Sequence, residues 1–163
     1  FKSYFGRSYY TFEEKGVRFF ILNSVQRDGT GDLCIGAEQM EWLKGELLHV
    51  SLATPVVAVT HVPVYSFYYP VVENRFVPHD IIRNYRELVL AFREHNLKLV
   101  LQGHQHIHEE ILLQDVQYIT GGAVCAGWWN GSFHGTEEGF LTVHADEAGM
   151  FTWEYVDYGW ISE

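Results

Sequence analysis

Short continuous apolar runs alternate with helically spaced apolar positions along the first two thirds of the chain. Three runs have the length of a strand that is covered on both faces, at 17–23, 55–60 and 98–102. Between them, apolar residues recur at helical spacing over 37–50 and 81–95, and Asp80 is placed to cap the second helix. This alternation predicts strand–helix–strand units around a sheet with parallel strands.

The last third of the chain has a different pattern. Its apolar residues concentrate in four short segments separated by turns, at 110–113, 116–120, 139–144 and 150–156. These segments predict a strand meander at one edge of the sheet. Neither an internal repeat nor a low-complexity stretch interrupts the 163 residues, so we expect a single domain spanning 1–163.

Composition narrows the class of protein. Hydrophobic residues make up 47% of the chain and aromatic residues 16%, which indicates a packed core rather than disorder. The formal net charge is −10 without any basic run, which argues against a nucleic-acid partner, and no apolar run reaches the roughly 18 residues of a membrane span. Cys34 and Cys125 form no CxxC pair; two buried thiols are the simpler interpretation, and a single disulfide stays open.

Histidines follow two of the predicted buried strands, at the point where each strand ends. His61 comes directly after the run at 55–60, and His104 and His106 come just after the run at 98–102. Because ligands of open α/β sheets bind at the carboxyl ends of strands, we expect these imidazoles to converge. In locally extended backbone, residues two apart point the same way, so His104 and His106 can face one metal cluster. For any one histidine alone a structural role is the alternative; the combination favours a metal site.

Two segments carry a resemblance to a known superfamily. They are VTHVP at 59–63 and GHQH at 103–106, which resemble motifs of the calcineurin-like metallophosphoesterases in order and spacing. The helix GAEQMEWL at 36–43 and the strand pair that begins with YYTF at 9–12 support the resemblance. It implies an α/β fold, half of a four-layer α/β/β/α sandwich, with a mixed sheet, flanking helices and a C-terminal strand meander. The chain would then be the C-terminal part of a metallophosphoesterase catalytic domain.

The same resemblance implies a chemistry and its ligands. Members hydrolyse phosphate mono- or diesters at a pair of divalent or mixed-valence transition-metal ions, Fe, Mn or Zn. His61 and His104 would bind one ion and His106 the other. The remaining ligands of the superfamily come from Asp-x-His, Gly-Asp-x-x-Asp and Gly-Asn-His-Asp/Glu motifs, none of which this sequence contains. We therefore expect the chain to supply half of the site, to be inactive alone, and to associate with an N-terminal half or with itself.

A glycine-rich segment at 121–135, GGAVCAGWWNGSFHG, is the second informative region. It resembles a segment that borders the substrate pocket in some bacterial envelope members of the superfamily. That resemblance places Trp128, Trp129 and His134 at the rim of a pocket for a small phosphate ester. A glycine-rich turn whose tryptophans fill a core is the alternative. The tyrosine-rich loop at 62–79 is either the opposite wall or an interface patch.

Two functions other than catalysis fit the same sequence. One is a non-catalytic module that binds a partner through its aromatic loops, and the other is an inactive, truncated remnant of the same fold. A Gly-Asn-His-Asp/Glu motif shortly upstream of Phe1 would establish the hydrolase, and a natural Met there without that motif would favour the other two functions.

Overall fold

A computed structural model describes residues 2–75, 80–146 and 148–162. Within these ranges the helices are α1 (Lys2–Phe5), α2 (Ala37–Leu47), α3 (Tyr68–Val72) and α4 (Tyr85–Phe92). The strands are β1 (Tyr10–Glu14), β2 (Val17–Ile21), β3 (Gln26–Arg27), β4 (Leu33–Cys34), β5 (Val56–Val59), β6 (Leu97–Gln102), β7 (Glu109–Leu113), β8 (Val116–Thr120), β9 (Gly139–Ala145) and β10 (Phe151–Asp157). No helix in these ranges is long and apolar enough to cross a membrane.

Six of the strands form one mixed sheet in the order β1-β2-β5-β6-β8-β7. The central strands β2, β5, β6 and β8 are parallel, and β1 and β7 lie antiparallel at the edges. Helix α2 lies in the crossover from β2 to β5, and α4 lies in the crossover from β5 to β6. Parallel neighbours need such crossovers, and their carboxyl ends consequently share one edge of the sheet.

The two faces of the sheet are covered differently. On one face, Phe20 and Val100 of the sheet join Leu43 of α2 and Phe92 of α4 in one core, and these four residues are at most 2% exposed. The rings of Phe20 and Phe92 meet edge to face, with centroids 5.6 Å apart. This helical face is the larger core, as expected for strands whose continuous apolar runs are buried on both sides.

The opposite face of the sheet packs against the hairpin β9–β10. Val57, Leu99 and Ile119, at most 1% exposed, form a second cluster with partly buried residues of the hairpin, including Trp153. The described residues thus stack as helices, main sheet and hairpin. The predicted mixed sheet with flanking helices is confirmed. The four tail strands do not run as one meander, because β8 inserts beside β6 while β9 and β10 form a sheet of their own.

The predicted helix over 81–95 begins later than its apolar pattern suggests, and Asp80 is not its cap. The backbone N–H groups of Ile82 and Arg83 donate instead to the carbonyls of Pro63 and Leu33, both at 2.8 Å. Asn84 is the residue before the helix. Its Oδ1 accepts from the N–H of Ile35 at 3.0 Å, and its Nδ2 donates to the carbonyl of Ile35 at 2.9 Å. These tertiary hydrogen bonds hold 81–84 in a non-helical path.

Other boundaries shift for local reasons. The helix predicted over 37–50 ends at Leu47, because the next residues close turns in which each N–H donates three residues back. The loop predicted at 62–79 contains the short helix α3, and its residues 76–79 lie outside the described part. Cys34 and Cys125 are both free thiols, so they do not form the single disulfide that had stayed open.

Candidate metal centre

The carboxyl ends of β5 and β6 bring His61 and His104 together. The two strands are parallel neighbours, and pairing continues past their ends, where the N–H of Gly103 donates to the carbonyl of His61 at 2.9 Å. Each histidine therefore leaves its strand at the same level of the sheet. The juxtaposition follows from the βαβ connection and the lengths of the two strands.

The imidazole rings of His61 and His104 face each other with a nitrogen from each directed at the other. Nε2 of His61 lies 3.2 Å from Nδ1 of His104, and the ring centroids are 5.0 Å apart at an interplanar angle of 76°. Two nitrogen ligands about 2.1 Å from one tetrahedral or octahedral ion lie roughly 3.0–3.4 Å apart. The pair therefore has the separation of two ligands on one edge of a metal coordination shell.

A buried hydroxyl fixes the backbone that carries His61. Ser24 is 1% exposed, and its Oγ accepts hydrogen bonds from the N–H of His61 at 3.0 Å and of Val62 at 2.8 Å. Although His61 is an exposed residue by surface area, partial burial of its ring lowers its pKa, and the neighbouring His104 and His106 lower it further. The lowered pKa favours the neutral imidazole, which is the form that binds metal ions.

His106 is held by the glycine-rich segment. Its Nδ1 lies 2.7 Å from the carbonyl oxygen of Ala126, and its ring stacks on Trp128 with centroids 4.4 Å apart and an interplanar angle of 25°. Cys125 Sγ lies 3.9 Å from the same Nδ1. A carbonyl oxygen can only accept, so the neutral ring carries its proton on Nδ1 and offers Nε2.

Asp80 is a neighbour of the histidines that the sequence analysis did not assign to the site. Its Oδ1 lies 3.7 Å from Nε2 of His104, on the side of the ring away from His61. Gln105 donates from Nε2 to the Asp80 carbonyl at 3.3 Å, which ties this stretch to the segment that carries the histidines. Asp80 precedes His104 by 24 positions and lies on a different loop, so no spacing rule links them.

The donor set is incomplete as a two-metal centre. Among the residues that the structure describes, no group of three or more histidine, cysteine, aspartate or glutamate side chains is arranged to hold a metal ion. The imidazole pair fits one edge of a shell for an N-preferring ion such as Zn. A bridging carboxylate is not provided within those ranges.

Strained backbone concentrates around the histidines. Ten non-glycine residues of the described ranges have positive φ, and six of them lie in the segments just described: His104, His106, Ala126, Trp128, Trp129 and His134. The other four, Lys15, Asn74, Gln114 and Asp115, lie at turns or at the end of α3. Each such conformation costs roughly 1–3 kcal/mol and persists only where the surroundings impose it.

Aromatic rings continue outward from His106. Trp128 contacts Phe133 at 5.3 Å, Phe133 contacts His134 at 4.4 Å, and His134 contacts Tyr68 at 5.0 Å between centroids. The tyrosine-rich loop thus touches the glycine-rich segment directly. Trp128 is 60% exposed despite this contact, so it does not fill a core.

Two further aromatic or imidazole groups lie apart from this arc. Trp129 is 54% exposed and packs on Trp160, at 5.3 Å between centroids. His108 stacks on Tyr155 and lies 3.1 Å from a carboxylate oxygen of Glu110. Of the three predicted rim residues, Trp128 and His134 therefore share the arc that starts at His106, and Trp129 faces the C-terminal tail.

Comparison with known proteins places the fold. The sequence matches no protein-family model, and no curated protein matches it. Among solved structures, a dimetal phosphatase from Danio rerio superposes with a TM-score of 0.52 at 16% identity, covering 70% of this chain and 48% of that one. The likeness establishes a shared fold, and the chain spans about half the length of the phosphatase.

Two other solved structures resemble the chain more distantly. GAP50, the anchor in the inner membrane complex of Plasmodium, has a TM-score of 0.49 at 17% identity, over 71% of this chain and 36% of its own. The protein TT1561 of Thermus thermophilus has a TM-score of 0.42 at 12% identity, over 85% of this chain and 53% of its own. Likenesses at this level support no argument about function.

Proposed function

We propose that this chain is the C-terminal part of a metallophosphoesterase domain that hydrolyses a phosphate mono- or diester at two transition-metal ions. The observation that carries the proposal is the 3.2 Å approach of His61 Nε2 and His104 Nδ1 at the carboxyl ends of adjacent parallel strands. The fold shared with a dimetal phosphatase supports it. The choice of ions, Fe, Mn or Zn, is taken from the superfamily resemblance, and the imidazole donors suit Zn and Fe.

The proposal assigns each histidine a task. His61 and His104 hold one ion through the two facing nitrogens, and His106 presents Nε2 to the second. Such ions lower the pKa of a coordinated water and offset negative charge on phosphate oxygens. The chain has a net charge of −10, so its own side chains supply little positive charge for an anionic substrate. Bound metal ions would supply that charge.

Substrate contacts are proposed for Trp128, Trp129 and His134. Trp128 and His134 belong to the aromatic arc that begins at His106, and both tryptophans are more than half exposed. Exposed rings next to a phosphate site suit the organic part of an ester, which supports Trp128 and His134. For Trp129, which packs on Trp160, the support is its exposure and the sequence resemblance. The carboxylate ligands of the second ion are proposed to come from an N-terminal half of the domain, with self-association as the alternative partner.

Metal binding and turnover by the purified chain test the proposal. We expect calorimetry to detect zinc binding, and His104→Ala to weaken it at least tenfold, because half of the imidazole pair is lost. His144→Ala removes an exposed histidine of β9 and is the matched control. Failure of the wild-type chain to bind zinc, or equal binding by both variants, would contradict the metal assignment.

Turnover separates the half site from a complete one. On an aryl phosphate with Mn, Fe or Zn, we expect the chain alone to show no significant hydrolysis, because two-metal catalysis needs both ions. Robust turnover that His104→Ala abolishes would refute the claim that the ligand set is incomplete. Zinc binding without turnover under any pairing with an N-terminal half would favour the non-catalytic binding module.

A further inference from the structure

The loops on either side of the histidine cluster each bring an oxygen atom towards one ring nitrogen, Asp80 Oδ1 towards His104 and the Ala126 carbonyl towards His106. His104 lies between two partners, with Nδ1 at 3.2 Å from His61 and Nε2 at 3.7 Å from Asp80 Oδ1. A neutral imidazole carries one proton, so its position decides between two arrangements. In the first, Nδ1 of His104 carries the proton and donates to His61. In the second, Nε2 carries the proton and faces the carboxylate, and the lone pair of Nδ1 is directed towards His61.

Electrostatics favours the second arrangement. An ionised carboxylate accepts and cannot donate, and it attracts the proton-bearing side of an imidazole more strongly than a neutral ring does. The two side chains are only 30% and 22% exposed, so solvent screens this attraction incompletely. The nitrogen of His61 that faces His104 is Nε2.

On the other loop, a carbonyl oxygen determines the proton position in His106 in the same way. The Ala126 carbonyl at 2.7 Å requires the proton on Nδ1, and the stacked Trp128 ring fixes the plane of the imidazole. Both Ala126 and Trp128 have positive φ, 33° and 57°, so the strained backbone is what brings this carbonyl and this ring to His106. Partners of this kind orient metal-binding histidines in proteins generally.

We infer that Asp80 is a positioning residue that holds His104 as the Nε2–H tautomer, so that its Nδ1 is a ligand nitrogen. The Ala126 carbonyl sets the opposite tautomer in His106, which offers Nε2. The ligand atoms are then Nε2 of His61, Nδ1 of His104 and Nε2 of His106. The role of these nitrogens as ligands rests on the proposed metal centre. The tautomers themselves are a property of the metal-free protein and can be measured without metal.

Long-range ¹H–¹⁵N spectra of the histidine rings test it directly. In the metal-free chain at pH 8, where an ordinary imidazole is neutral, we expect His104 protonated on Nε2 and His106 on Nδ1. Asp80→Asn removes the charge at nearly constant shape, and Asp80→Ala removes the whole polar group. Both should raise the population of the His104 Nδ1–H tautomer, whereas Asp115→Asn, the same change at the far turn between β7 and β8, should leave it as in wild type.

Zinc titration gives a second readout. We expect zinc to shift Nδ1 of His104 and Nε2 of His61, and Asp80→Asn to weaken zinc binding by roughly tenfold or more. A wild-type His104 protonated on Nδ1, or zinc affinity and tautomers unchanged in both Asp80 variants, would overturn the inference while leaving the metal centre standing. If the wild type binds no zinc but has the predicted tautomers, the proposed function fails and the role of Asp80 holds.

Discussion

Removal of the Ser24 hydroxyl is the sharpest test of how the fold positions His61. Ser24 is 1% exposed, and its Oγ accepts from two backbone N–H groups, those of His61 and Val62. Ser24→Ala leaves both donors without this acceptor. A buried donor left unpaired costs about 1–3 kcal/mol, and Val62 is fully buried whereas the His61 N–H is only partly so. We therefore expect a loss of about 2–4 kcal/mol in the free energy of unfolding.

Urea unfolding measures this loss, and zinc titration measures its consequence at the site. Ser51→Ala is the matched control, since its hydroxyl accepts one exposed hydrogen bond of 3.3 Å, and it should cost less than about 0.5 kcal/mol. Because Ser24 holds the backbone of His61, Ser24→Ala should also weaken zinc binding, whereas Ser51→Ala should not. Equal stabilities of the two variants would refute the idea that this hydroxyl anchors the end of β5.

Two further predictions concern the aromatic residues. Trp128→Ala removes the ring stacked on His106, so it should weaken binding of the second ion roughly tenfold when the chain is paired with an N-terminal half, whereas Trp129→Ala should leave that binding unchanged. Equal effects of the two substitutions would contradict the role given to the stacked ring. Burial raises the pKa of Tyr118 and Tyr155 to about 12, so both should ionise after exposed tyrosines in an ultraviolet titration. Their contribution to stability is then complete below pH 10 and lost as the pH rises towards 12. A single transition near pH 10 for all tyrosines would contradict their burial.

The strands and the histidine pair were predictable from sequence for a simple reason. A continuous apolar run such as the one that became β5 reports burial on both faces, and parallel strands end at one edge of the sheet. His61 and His104 each follow such a run, so their proximity required only that the two strands be neighbours. The metal-binding role itself stays a prediction, because the described residues do not gather a full ligand set.

The partners of the histidines were not predictable, because they depend on tertiary contacts. Asp80 reads as a helix cap in sequence, yet hydrogen bonds from 82–84 to distant backbone delay the helix to Tyr85 and leave Asp80 beside His104. The acceptor at His106 is a main-chain carbonyl, which carries no residue-type signal. The positive φ of Ala126 could not be predicted from sequence either, because alanine rarely adopts positive φ.

The central claim is that His61 and His104 share one metal ion. Crystals of the zinc-loaded chain, measured across the zinc absorption edge, would locate the ion by anomalous scattering. The account predicts a peak about 2.1 Å from both His61 Nε2 and His104 Nδ1. A zinc peak that contacts neither nitrogen, or an empty position between the two rings at saturating zinc, would contradict it.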